Sequence, residues 1–173
     1  MTVADKKTNV STLGPINTNS YYAAKAYIKN KNIACEPVLC ETAEESFDLL
    51  LKNKVQACVV CNLYPDIHKL YIPNLNVVTV AHVFIHNAYM GLYKRRNIKS
   101  IKSVAAPITS TIFLKDDDFI ISIVNSNAEA ASACAQGVVD AAIATSSSAE
   151  DYGLVALRKY GPFAVPYTVF KRR

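Results

Sequence analysis

The feature of this sequence that most constrains its fold is the alternation of strand-like and helix-like segments in its first half. Residues 55–63 (VQACVVCNL) form a nearly continuous apolar run, which is typical of a parallel strand covered on both faces. Two shorter strand-like segments, 9–13 and 33–39, precede this run. Helical patterns over 18–30 and after Thr42 separate the three strands. The order strand, helix, strand, helix, strand predicts an α/β fold.

The second half of the chain predicts further elements of the same kind. Residues 77–93 are apolar and β-branched, which indicates one extended strand or a strand followed by a bend. A bent strand at mid-chain would allow the chain to cross from one lobe to another. We predict short strands over 119–124, 141–144 and 166–170, and an alanine-rich helix over 128–137.

Composition and charge exclude several classes of protein. A chain of 173 residues with 51% hydrophobic residues is long enough for one domain or for two small lobes. Its net charge of +5 is too small to indicate nucleic-acid binding. The sequence has neither an apolar run of membrane-spanning length nor an apolar leader, so we expect a cytoplasmic protein with a frayed end over residues 1–8. Five cysteines without repeated spacing are expected to be reduced.

Polar residues follow predicted strands at three points where a helix is expected to begin: Gly14–Asn19, Pro107–Thr111 and Thr145–Ser148. Backbone N–H groups and hydroxyls converge there with the positive end of the helix dipole, so each junction suits a carboxylate or phosphate. Ordinary helix capping is the alternative for each. The candidate ligand-binding residues are Asn17, Thr18, Asn19, Thr109, Thr111, Ser146, Ser147 and Ser148.

Histidine, cysteine and tyrosine residues supply the other candidates for chemistry. Cys58 and Cys61 lie on a predicted strand, where their spacing places them on opposite faces and favours packing over metal binding. His82 and His86 would share one face of a strand, and without a third ligand nearby either imidazole is more plausible as a proton donor than as a metal ligand. The segment Tyr64–His68 directly follows a strand and is either a site or a solvated turn.

The order of several segments resembles the prephenate dehydratase family. Residues 12–24 (TLGPINTNSYYAA) resemble its opening strand end, turn and helix start. The other matching segments are Glu45–Phe47, Val55–Val60, Asn125–Ala131, Ala141–Ser148, Tyr152–Leu154 and Tyr167–Phe170. The resemblance covers about Ser11–Phe170 and implies two α/β lobes similar to the type 2 periplasmic-binding-protein fold, with prephenate in the cleft between them. The lobes are expected at about 9–82 with 150–173, and at 83–149.

Departures from the family point to one branch of it. Val169 stands where the dehydratases carry the arginine of Thr-Arg-Phe, so the expected anion-binding side chain is missing. The segment Cys61–His68 lacks the glutamate and serine of the family's Pro-x-Glu-Asn-Ser. Gly14–Asn19 and Tyr64–His68 resemble the prephenate decarboxylases of bacilysin-type pathways. This resemblance implies a carbon–carbon lyase that converts prephenate to a dihydro-4-hydroxyphenylpyruvate without making the ring aromatic.

Such a reaction needs a proton for the ring and no cofactor, because the diene itself delocalises the charge. His86, Tyr64 and Tyr89 are the candidate proton donors, and His86 is favoured because imidazole can be protonated near neutral pH. Thr168 lies at the family's threonine position. The sequence implies no metal, nucleic-acid or membrane partner and leaves a homodimer open. A dehydratase that forms phenylpyruvate and a non-catalytic protein that binds anionic ligands remain alternatives.

Overall fold

The computed structural model describes residues 9–173, which form two compact units. The first unit contains residues up to His86 together with Val165–Arg173, and the second contains Asn87–Ala164. The chain passes between them twice, within the long strands β4 (Val78–Lys94) and β8 (Val155–Arg172). We predicted from the sequence that the chain crosses between the lobes near residues 82 and 150, and these lobe limits remain a prediction. The frayed end expected over residues 1–8 lies outside the described residues.

The first unit is built on parallel strands followed by helices. Its strands are β1 (Val10–Leu13), β2 (Val38–Cys40) and β3 (Ala57–Cys61), with the C-terminal half of β8 antiparallel to β3, in the order β2-β1-β3-β8. Its helices are α1 (Asn19–Asn30), α2 (Ala43–Leu51), α3 (Ile67–Tyr71) and a 3₁₀ turn at Ile72–Asn74. The α/β alternation predicted from the sequence is confirmed.

The second unit repeats this plan. Its parallel strands are β5 (Ser103–Pro107), β6 (Ile120–Val124) and β7 (Ala141–Thr145), with β4 antiparallel to β7. The order is β8-β4-β7-β5-β6. Its helices are α4 (Asn127–Ala135), α5 (Ser146–Asp151) and a 3₁₀ helix at Ile108–Leu114. Within residues 9–173, none of the helices combines the length and apolarity needed to cross a bilayer.

Each unit has its own apolar core. In the first, Phe47 and Phe170 meet edge to face with ring centroids 5.3 Å apart, and both are almost fully buried. In the second, α4 packs small residues such as Ala131 and Cys134 against Ala142 of β7, so helix and sheet approach closely. These cores fix the ends of the strands from which the candidate site residues project.

One predicted strand is misplaced. The sequence predicted a strand over 33–39, whereas β2 covers only Val38–Cys40. The reason is the end of α1: Asn32 has φ 52°, and the Ile33 N–H donates to the Ile28 carbonyl. These are the features of a Schellman motif, which takes Ile33 into the helix terminus.

Other elements differ in extent or type. The closing strand was predicted over 166–170, but β8 extends from Val155 to Arg172. The junction after Pro107 leads into a 3₁₀ helix without a capping side chain. Ser146–Ser148 were expected to precede a helix, but they form the first turn of α5 because Thr145 is its N-cap.

Candidate active site

The carboxyl ends of β1 and β3 lie at the same edge of the first unit, because the two strands are parallel and in register. The Gly14 N–H donates to the Cys40 carbonyl over 2.8 Å, which holds the end of β1 against β2. A Cβ added at Gly14 would lie 3.2 Å from the Leu39 Cβ, so a glycine fits this close approach. In open α/β sheets, ligands bind outside this edge.

The predicted junction at the start of α1 is present. Thr18 is the N-cap: its hydroxyl accepts from the Tyr21 N–H over 3.2 Å and donates to the Pro15 carbonyl over 2.9 Å. Asn17 has φ 66°, and its Oδ1 accepts from the Tyr22 hydroxyl. Asn19 is the first residue of the helix. The Thr18 hydroxyl thus stabilises the helix start, while the junction keeps the geometry of an anion site.

A small pocket opens at the same edge, with a cavity volume of about 20 Å³, which is room for a group the size of a water molecule. Its apolar lining residues are Leu13, Ala43, Val59 and Val60. Its polar lining residues are Ser20, Ser46, Cys61 and Tyr64. None of these eight side chains is a lysine, arginine or carboxylate, so the pocket suits a small uncharged polar group, such as a hydroxyl, better than an anion.

Tyr64 is the one candidate from the sequence that lines this pocket. It lies in the turn after β3, where its N–H donates to the Cys61 carbonyl over 3.0 Å. Its hydroxyl donates a hydrogen bond to a carboxylate oxygen of Glu44, in the first turn of α2. Burial and the neighbouring Glu44 carboxylate raise the pKa of Tyr64 well above its ordinary range. The phenol therefore stays neutral and holds its proton towards Glu44.

A buried phenol, Tyr167, lies next to this pocket on β8. It is paired across the sheet with Cys61, and burial raises the pKa values of both side chains while the Ser20 hydroxyl lowers that of Tyr167. The His86 ring meets the Tyr167 ring edge-on at 6.2 Å. His86 is half-buried, and this burial lowers its pKa. The structure thus links His86 to the pocket wall through one aromatic ring.

His82 and His86 lie on β4, as predicted. His82 stacks with Phe84 at 6.0 Å and lies 6.4 Å from Tyr27, so its ring belongs to an aromatic row along the strand. Among residues 9–173, no group of three or more histidine, cysteine or acidic side chains is arranged to hold a metal.

Thr168 and Val169 occupy opposite faces of β8. The Thr168 hydroxyl donates to the Asn62 Oδ1 over 2.8 Å, beyond the end of β3. Val169 is fully buried and paired with Val59. The position that resembles the family's arginine is therefore part of the core in this chain.

In the second unit, the side-chain hydroxyls of Thr145 and of the serines that follow it lie within hydrogen-bond distance of one another. Thr145 caps α5 by accepting from the Ser148 N–H over 3.0 Å, and its hydroxyl donates to the Ser148 Oγ over 2.8 Å. Ser147 lies 3.2 Å from the Thr145 hydroxyl. The Ser146 Oγ is 2.9 Å from the Tyr93 hydroxyl on β4. This end of β7 is an ordered row of hydroxyls in a partly buried setting.

The other candidates of the second unit lie on more open surface. Thr109 is exposed in the 3₁₀ helix after β5, and the Thr111 hydroxyl donates to the Ile108 carbonyl over 2.8 Å. Tyr89 is 57% exposed on β4, where its neighbours Ala88 and Met90 are buried on the other face. Both threonines follow the carboxyl end of β5, which lies at the same edge as the end of β7.

Sequence reasoning missed Ser20, Ser46, Cys61 and Glu44, which line the pocket or hold Tyr64. Cys61 was interpreted as a packed cysteine, although it is the last residue of β3. Its position directly before the Tyr64 turn was the available signal. Glu44 looked like an ordinary acidic residue of a helix first turn, and nothing in the pattern connected it with Tyr64.

Comparison with known proteins identifies a family and named relatives. The family model described as prephenate dehydratase matches residues 10–160. A protein named prephenate decarboxylase from Bacillus subtilis (strain 168) is 25% identical over 179 residues, which cover 95% of this chain and 87% of the relative.

Solved structures show the same fold. The prephenate dehydratase of Arthrobacter aurescens in complex with L-Phe superposes with a TM-score of 0.75 at 14% identity, covering 96% of this chain and 61% of that one. This chain thus spans about three fifths of that structure. A periplasmic substrate-binding protein of an ABC transporter from Coxiella burnetii superposes with a TM-score of 0.62 at 15% identity, covering 95% of this chain and 84% of that one. The predicted fold class is confirmed.

Proposed function

Because the chain belongs to the prephenate dehydratase family, we propose that it converts prephenate by non-aromatising decarboxylation. The product is a dihydro-4-hydroxyphenylpyruvate, and the enzyme is a carbon–carbon lyase. The Bacillus relative that matches 95% of this chain bears the name of this activity. The observation that carries the proposal is the pocket at the ends of β1 and β3, whose lining holds no carboxylic acid that could protonate a ring hydroxyl.

Proton delivery decides between the two reactions open to prephenate. In both, the bond between the ring and its carboxylate breaks and carbon dioxide leaves. In dehydration, one proton goes to the ring hydroxyl, which departs as water. In the proposed reaction, that proton goes to a ring carbon and the hydroxyl stays. The enzyme must therefore supply an acid near the ring carbon and withhold one from the ring oxygen.

His86 is the proposed donor to the ring carbon. Its contact with Tyr167 places the imidazole beside the pocket wall. Burial lowers its pKa, so the protonated form is a stronger acid but is less populated at neutral pH than we expected from the sequence. Tyr89 remains the second candidate, because its exposed side chain is accessible to a ligand. Thr168 is assigned the lesser task of orienting the Asn62 amide.

The two carboxylates of prephenate require separate anion sites. We assign one to the start of α1, where Asn17, Thr18 and Asn19 surround the helix N-terminus. The hydroxyl row of the second unit, Ser146–Ser148 with Thr109 and Thr111, is assigned to the other carboxylate and the pyruvyl group. The expectation that prephenate lies between the two lobes stays a prediction.

The proposal is tested by incubating the purified protein with prephenate at neutral pH and identifying the products by chromatography and NMR. A control without enzyme is essential because prephenate decays spontaneously. Enzyme-dependent formation of a non-aromatic hydroxylated keto acid supports the proposal. Phenylpyruvate would show a dehydratase, and unchanged prephenate would favour a binding protein.

The setting of the reaction is part of the same proposal. A dihydro-hydroxyphenylpyruvate is a precursor suited to bacilysin-like antibiotic biosynthesis in the cytoplasm. Light scattering after size-exclusion chromatography distinguishes a monomer from a homodimer.

A further inference from the structure

The contact between Tyr64 and Glu44 suggests how the ring hydroxyl of prephenate is kept. We propose that Glu44 makes Tyr64 a hydrogen-bond acceptor for the ring hydroxyl and thereby prevents protonation of that hydroxyl. Tyr64 then selects the reaction outcome instead of donating a proton. This inference rests on the proposed function and names the residue pair that sets its specificity.

The first step of the argument is the direction of the hydrogen bond. A phenol carries one proton and two acceptor lone pairs. The Tyr64 proton is directed to the Glu44 carboxylate, which as an ionised group can only accept. Within residues 9–173, no donor is found on the Tyr64 oxygen. The phenol oxygen can therefore receive a proton donor from a ligand.

The second step concerns which part of prephenate fits this pocket. Its lining combines apolar residues with neutral polar groups. Prephenate has two carboxylates and one uncharged hydroxyl. Burying a carboxylate without a cation or helix terminus is costly, whereas a single uncharged hydroxyl is small enough for this cavity and needs only one partner. The ring hydroxyl is the substrate group that matches the Tyr64 end of the pocket.

The third step is the chemical consequence. A hydroxyl that donates its proton to Tyr64 gains electron density on its oxygen and becomes a poorer leaving group. Loss of water requires the opposite, an acid that donates to that oxygen. With its proton held by Glu44, Tyr64 cannot act as that acid. The proton consumed in the reaction then goes to the ring carbon.

Glu44→Ala tests this arrangement. Without the carboxylate, the Tyr64 proton turns to the ring oxygen, so the phenylpyruvate share of the product rises about tenfold or more, within the range of one general acid. Glu44→Gln keeps a carbonyl acceptor for the phenol and leaves the product ratio close to that of the wild type. The double variant Glu44→Ala/Tyr64→Phe has no acid at this place and returns the ratio to the wild-type value.

Glu45→Ala is the matched control. It removes the same charge from the same turn of α2, where Glu45 accepts from the Glu41 N–H, whereas the Tyr64 hydroxyl donates to Glu44. Its loss frays the helix start without changing the product ratio. If Glu44→Ala leaves the ratio unchanged, or if the double variant makes as much phenylpyruvate as Glu44→Ala alone, the inference is refuted. The wild-type product tests the proposed function separately, so the two failures are distinguishable.

Discussion

Substitutions of Thr18 separate its structural role at the start of α1 from the proposed binding of a substrate carboxylate there. Its hydroxyl makes both hydrogen bonds of an N-cap, to the Tyr21 N–H and the Pro15 carbonyl, and the residue is 7% exposed. Thr18→Ala removes both bonds. Loss of an N-cap costs about 1–2 kcal/mol. At about 2–4 °C per kcal/mol for a chain of this size, the melting temperature should fall by about 2–8 °C.

Two further variants at this position test the anion site. Asn and Asp cap helices about equally well, so Thr18→Asn and Thr18→Asp should both be more stable than Thr18→Ala. They differ by one negative charge at the place where a substrate carboxylate is proposed to bind. We expect the KM for prephenate to be at least about tenfold higher for Thr18→Asp than for Thr18→Asn, because like charges repel.

Thermal unfolding followed by far-ultraviolet circular dichroism measures the first effect, and initial rates against prephenate concentration measure the second. Thr18→Ser keeps the hydroxyl and serves as the control for loss of the methyl group. A melting temperature of Thr18→Ala equal to that of the wild type would refute the capping argument. Equal KM values for the Asn and Asp variants would refute an anion site at the start of α1.

Three more predictions follow from single residues. If His86 is the acid, kcat/KM declines as the pH rises through the pKa of His86, which burial lowers below its ordinary 6.5. In a pH–rate profile of His86→Gln, this decline should be absent. Asp140 accepts from the Lys102 and Ser103 N–H groups, which lower its pKa below the ordinary 3.8. The ionised Asp140 carboxylate therefore stabilises the fold above pH 3.8, and this stabilisation is lost as the pH falls through its folded-state pKa. In Asp140→Asn, the midpoint of urea unfolding should decrease less than in the wild type as the pH is lowered. Gly14→Ala should lower the midpoint of urea unfolding, because its Cβ would lie 3.2 Å from the Leu39 Cβ and 3.3 Å from the Cys40 carbonyl oxygen, and an unchanged midpoint would contradict this.

Much of the fold could be predicted from local patterns. The strand in the apolar run around β3 and the helix that begins after Thr42 are confirmed, because the patterns that predict them lie in adjacent residues. The error at β2 also had a local cause. Asn32 ends α1 in a left-handed conformation and takes Ile33 into the helix terminus, which a hydrophobicity pattern does not predict.

The candidate site was harder to predict, because its contacts join distant parts of the chain. Tyr64 was singled out from its position after a strand, but its partner Glu44 lies 20 residues away on another element. Tyr167 lies within the predicted closing strand, but its contacts with Cys61 and His86 join it to residues distant in sequence. Side-chain direction across a sheet depends on register, and register is set by tertiary packing.

The central claim is that the ring hydroxyl survives the reaction, and the fate of its oxygen tests this most directly. Both candidate reactions release carbon dioxide, so gas evolution alone does not distinguish them. Prephenate carrying ¹⁸O in the ring hydroxyl should give a non-aromatic keto acid that retains the label, as measured by mass spectrometry against a control without enzyme. Label appearing in water, together with unlabelled phenylpyruvate, would contradict the account.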